Sequence, residues 1–195
     1  RQYLYYGSYY GGVFVTELTA DGTGTVGTPT MVGIDNRFEG AYVVPRDGWY
    51  YLFASSSNCC AGPVTGYSVF VGRSRSPRGP FVDRQGVPLS ASRTGGTIVV
   101  TPNGNRWVGT GHNAMVTDPS GQDWLVYHAI DRNQPWLDDP FGINRRPTLI
   151  DRLAGQVDER FDQLGVLEAR LLQDSANRKF VPTRLPIADT LFSSN

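Results

Sequence analysis

The 195 residues can bury one sizeable core, and the length suits one or two domains. With 18 basic and 18 acidic residues in balance, no strong field recruits nucleic acid or an anionic membrane surface, and no apolar run approaches the ~18 residues that span a bilayer. Gly 23, Pro 13 and 12% aromatics favour many short strands joined by turns over helices.

The chain opens on Tyr3-Leu4-Tyr5-Tyr6, an aromatic and aliphatic strand with none of the features of a signal peptide. It therefore reads as starting inside a structural element, as a fragment or a processed product. The Gly-rich Gly7-Ser8-Tyr9-Tyr10-Gly11-Gly12 follows, then a second apolar run, Val13-Phe14-Val15. Next comes Asp35-Asn36-Arg37-Phe38-Glu39-Gly40-Ala41-Tyr42-Val43-Val44, which sets Glu39 at the last loop position before a strand. Strand scaffolds place working side chains at such positions. Asp35-Asn36 reads as turn chemistry.

Arg46-Asp47-Gly48 marks a turn into Trp49-Tyr50-Tyr51-Leu52-Phe53, and Val69-Phe70-Val71 follows as its partner. Between them lie the adjacent Cys59 and Cys60, which could close a vicinal disulfide or remain two buried thiols. No second Cys/His pair stands at zinc spacing. A long inserted loop is expected over roughly 77–95. His112 sits in Gly111-His112-Asn113, and His128 lies on strand spacing within Trp124–Ile130 and reads as structural. The turn 118–123 leads into Trp124-Leu125-Val126-Tyr127, followed by Thr148-Leu149-Ile150.

The recurring unit is a hairpin of aromatic and aliphatic strands, the mark of a propeller blade, and about three blades are counted, the first without its opening strand. The same periodicity also fits a β-sandwich. The tail differs: Val157, Phe161, Leu164, Leu167 and Leu171 recur at helical spacing, predicting a helix over 157–174 within a divergent tail, 154–195.

Taken in order, Gly7–Gly12, Glu39-Gly40-Ala41-Tyr42, Cys59-Cys60, Gly111-His112-Asn113 and Arg145–Leu153 resemble the C-terminal part of an arabinan-degrading glycoside hydrolase of family 43. The resemblance covers about residues 3–153 and ends where the family continues with a Trp and an Asp-Gly-Trp-Pro turn. It implies an all-β fold, a five-bladed β-propeller of which residues 1–153 supply roughly the last three blades. It also implies a secreted enzyme that cleaves α-1,5-linked L-arabinofuranosyl chains by an inverting single displacement. Glu39 matches the family's general acid, Ser8 and Tyr9 its sugar-contacting loop, and Cys59 and Cys60 a disulfide on the substrate cleft. His112 matches an imidazole at the propeller axis beside an ion, often a largely hydrated calcium. The general base and the acidic residue that tunes the acid have no counterpart in this sequence and are expected from earlier blades, on this chain or a partner chain. Two alternatives stand beside the hydrolase: a non-catalytic carbohydrate-binding propeller, and one chain of a split enzyme.

Overall fold

The computed structural model describes residues 1–102, 106–138 and 140–153, together with the backbone of Leu167–Glu168. Strands β1 (Tyr3–Ser8), β2 (Gly12–Leu18) and β3 (Thr25–Gly33) form one antiparallel sheet in sequential order. A second sheet holds β4 (Glu39–Arg46), β5 (Trp49–Ser56), β6 (Ser68–Ser74) and β7 (Thr97–Thr101). A third holds β8 (Trp107–Thr117), β9 (Asp123–Asp131) and β10 (Thr148–Arg152). Each sheet is a meander of neighbours in sequence, as expected of propeller blades.

The middle sheet shows why three such units pack face to face. Along β5, Tyr51 and Phe53 point to one side and Leu52 and Ala54 to the other, as the two-residue strand period requires. All four are at most 1% exposed, so both faces of this strand are covered. Tyr51 and Phe53 join Val69, Val71 and Val99 against Trp107, Met115, Leu125 and Tyr127 of the third sheet. Leu52 and Ala54 join Phe38 and Phe70 against Val13, Val15 and Val32 of the first. Polar links reinforce the junction with the third sheet: the Tyr42 hydroxyl donates to the Met115 carbonyl at 3.1 Å, and Arg46 donates to both oxygens of Asp123 at 2.8 and 2.7 Å. The tight turn between β4 and β5 is Asp47–Gly48, both at positive φ, the geometry that suits a two-residue hairpin.

Strands β3, β7 and β8 are additions to the sequence reading. β3 contains Gly27 and Pro29 and is mostly exposed, so it carries no alternation of apolar and polar residues to detect. β8 is interrupted by Gly109 and Gly111 and by irregular register against β9, which hides its period. The inserted loop expected near 77–95 is the connection from β6 to β7. It folds back on the sheet, with Phe81 and Leu89 fully buried between the first and second sheets. Its turn is organised by Asp83, whose carboxylate accepts the backbone N–H groups of Gln85, Val87 and Gly96.

The helix expected over 157–174 is corrected at its two described residues. Leu167–Glu168 is extended and forms β11, paired in parallel with Val100 and Thr101 of β7. The outer edge of β7 offers backbone donors and acceptors that a helix cannot use, and helical spacing of apolar residues carries no information about such an edge. The other positions of that predicted helix lie outside the described residues.

Candidate active site

Glu39 is the first residue of β4, half-buried. Its Oε1 accepts a 2.6 Å hydrogen bond from the hydroxyl of Tyr67, a residue only 1% exposed just before β6. Burial, then the bond to Glu39, pushes the Tyr67 hydroxyl far above its ordinary value, so it remains a protonated donor. The donor occupies one of the two carboxyl oxygens.

Tyr67 is held by what it touches. Its ring lies directly on Gly111, where a methyl group would fall 2.2 Å from Cε1. Its other neighbour is His128, stacked at 5.8 Å between ring centroids and 16° between planes. His128 in turn stacks on His112 at 6.3 Å. Burial, followed by the nearby Arg146 and His112, lowers the His128 imidazole to about 4, so it is neutral near pH 7. The strand spacing that made His128 look structural is correct about β9, but the register brings its ring into the site between Tyr67 and His112.

His112 takes a left-handed backbone conformation, φ +53, and its N–H donates to the Ser55 hydroxyl at 2.7 Å. The Ser55 side chain also acts on the Tyr67 hydroxyl. A chain of contacts thus runs from the His112 backbone through Ser55 and Tyr67 to Glu39. Gly40, beside Glu39, faces the His112 ring, where a methyl group would stand 3.3 Å from Cγ and Nδ1. Glu39 and His112, far apart in sequence, are therefore neighbours.

Cys59 and Cys60 are joined by a disulfide. Their loop is closed by the Thr65 hydroxyl, which donates to the Asn58 carbonyl, and by the Arg146 guanidinium, which donates to the Cys59 carbonyl. Arg146 also acts electrostatically on both Tyr67 and His128, so one cation serves the disulfide loop and the ring stack. Sequence reasoning missed Tyr67, His128 and Arg146 as site residues. The Gly-His-Asn and Arg-Arg-Pro contexts were visible, but the contacts are made only across sheets.

The other sequence candidates stand at the end of β1 and in the turn that follows it. Ser8 is exposed at the end of β1, and its carbonyl accepts the Gly11 N–H at 3.4 Å. Tyr9 is half-buried, and its carbonyl accepts the Asn36 N–H at 2.6 Å, which brings it beside Arg37. Arg37 stacks over Phe70 at 4.5 Å and donates to Ser57 and to the Gly95 carbonyl, tying three loops together. Asp35 is engaged by Arg93 and by Asn36, in keeping with its reading as turn chemistry.

Among the described residues no group of three or more His, Cys, Asp or Glu gathers as a metal site. The exposed His112 offers one imidazole, and the adjacent Asn113 carries a buried amide without a partner among the described residues. That donor set fits a cation that keeps most of its water and does not fit a zinc cage.

The model of glycosyl hydrolases family 43 matches residues 1–159. The chain belongs to that family. Among curated relatives it is 35% identical over 154 residues to the probable arabinan endo-1,5-alpha-L-arabinosidase A of Aspergillus flavus, covering 73% of this chain and 47% of the relative. It is 36% identical over 101 residues to the extracellular exo-alpha-(1->5)-L-arabinofuranosidase ArbA of Cellvibrio japonicus, covering 52% of this chain and 28% of the relative. The alpha-L-arabinanase of Cellvibrio cellulosa, solved with arabinohexaose, superposes with a TM-score of 0.65 at 25% identity over 85% of this chain and 56% of that one. The family 43 endo-arabinanase of Bacillus licheniformis gives 0.64 at 28% identity, over 80% and 50%. The chain thus spans about half the length of the relatives it matches. The three sheets are blades of a five-bladed β-propeller.

Proposed function

We propose that this chain is the C-terminal part of an arabinan-cleaving glycosidase, secreted, in which Glu39 is the general acid. The observation that carries the reading is the Tyr67–Glu39 hydrogen bond of 2.6 Å at the mouth of β4, framed by the two histidines and Arg146. The proposed step is a single displacement at the anomeric carbon of an α-1,5-linked arabinofuranosyl unit. Water attacks from the face opposite the leaving group and loses its proton to a carboxylate base. The glycosidic C–O bond breaks, its electron pair goes to the leaving oxygen, and that oxygen takes the proton from Glu39. Configuration inverts. Tyr67 keeps its bond to Oε1 throughout and holds the acid in place.

The base and the acidic residue that orients the sugar would come from blades outside this chain, either on the same polypeptide or on a partner chain. None of the described contacts of Glu39 is to a second carboxylate. That observation is also what a carbohydrate-binding propeller without catalysis would give. Ser8, Tyr9 and the disulfide loop would contact sugar. A largely hydrated calcium at His112 would supply positive charge near the cleft. The disulfide suits an oxidising, extracellular setting.

The test is Glu39→Gln in the full-length natural protein, assayed on polymeric arabinan and by titration with arabino-oligosaccharides. Turnover is expected to fall by orders of magnitude while sugar binding persists. Undiminished turnover removes Glu39 from the chemistry. Binding with no turnover in the unsubstituted protein favours the binding propeller.

A further inference from the structure

We propose that the hairpin between β9 and β10 carries a distal sugar subsite centred on Trp136, which reads the length of the bound chain. This rests on the arabinan-cleaving reading and extends it.

The connection from β9 to β10 doubles back on itself. Leu137 N–H donates to the Ile143 carbonyl at 2.8 Å and Arg145 N–H to the Pro135 carbonyl at 2.9 Å, with Trp136 opposite Asn144. The alternation of such a ribbon puts Trp136 and Asn144 on one face. Both meet the disulfide loop at Gly62: a methyl group there would stand 3.1 Å from the indole Cη2 and 3.5 Å from the Asn144 Nδ2. One edge of the indole is therefore fixed on the backbone of another blade. The rest is not covered, since Trp136 is 50% exposed. Beside it, Val64 on the disulfide loop is 83% exposed, and the buried Asn144 Nδ2 has no partner among the described residues.

A half-exposed indole anchored at one edge has the make-up of a sugar-stacking platform, an apolar ring held in place on which a sugar face can lie. Its place favours a glycan over other occupants. The same disulfide loop is bound at the Cys59 carbonyl by Arg146, which acts on Tyr67, the partner of Glu39. Tyr67 follows Gly62 by five positions, at most about 18 Å of extended chain, so the anchor of the platform lies within a few sugar lengths of Tyr67. A polymer held at Glu39 can reach it.

The test compares Trp136→Ala and Trp136→Phe in the full-length natural protein, using arabino-oligosaccharides from trisaccharide to octasaccharide. Turnover is read as kcat/KM, and binding is read by calorimetry in a Glu39→Gln background. The expected result is a loss of about 5- to 10-fold in the alanine variant for the longest oligosaccharides, little change for the trisaccharide, and substantial recovery with phenylalanine. The same ratio of variant to unsubstituted protein at every length, whether unity or a uniform loss, overturns the subsite while leaving arabinan hydrolysis standing. Absence of arabinan turnover by the unsubstituted protein overturns the hydrolytic reading first, and the subsite with it.

Discussion

Removing one oxygen atom tests the centre of this site. In Tyr67→Phe the ring stays on Gly111 and beside His128, because neither contact uses the hydroxyl. What goes is the 2.6 Å bond to Glu39. A hydrogen bond to an ionisable partner contributes about 1.5–3 kcal/mol, and if that energy is spent on holding the acid for proton transfer, kcat falls roughly 10- to 150-fold. Global stability changes much less, by about 1 kcal/mol, since the half-buried Glu39 can take a water in exchange. The assay is steady-state hydrolysis of arabinan beside an aryl arabinofuranoside whose leaving group departs without a proton, with melting temperature measured in parallel. The expected pattern is a large loss on arabinan, a small loss on the aryl substrate and a near-constant melting temperature. Equal losses on both substrates, or none on arabinan, would refute the assignment of Tyr67 as the group that positions the acid.

Two other perturbations probe the scaffold around that bond. Gly111→Ala places a methyl group 2.2 Å from the Tyr67 ring, so the ring must move; about 1–3 kcal/mol of stability should be lost, together with most arabinan turnover, as read by denaturant titration and kinetics. The neutral His128 gives a pH-dependent term whose sign follows from its lowered value of about 4. The unfolded chain binds more protons between about 6.5 and 4, so this stabilisation is complete above about 6.5 and is lost as pH falls towards 4. Because the side chain is only half-buried, the term is discounted to about 1 kcal/mol. Denaturant titrations at both ends of that range should show a smaller difference in His128→Phe than in the unsubstituted protein, and an unchanged difference would refute it.

Local chemistry made several parts of this molecule legible in advance. Aromatic and aliphatic runs bounded by turns located β1, β2, β4, β5, β6, β9 and β10, because such residues favour the extended, sheet-packed backbone. Glu39 was legible because it stands where a loop enters a strand. The disulfide was one of two options for adjacent cysteines, and the structure forms it. The strands that escaped notice are those whose pattern is broken by glycine, proline or exposure. The helical period in the tail misled at Leu167–Glu168, since apolar spacing describes one segment and is blind to the open edge of β7.

From the sequence alone came the all-β character, the order of the hairpins and one candidate acid, since these depend on residues close together along the chain. Only the tertiary structure decided which groups surround that acid. Tyr67 precedes β6, His112 lies on β8, His128 on β9 and Arg146 before β10, and they meet because stacked sheets bring the same ends of their strands together. Contacts of that kind are set by how whole sheets pack against each other, a property no local stretch of residues contains.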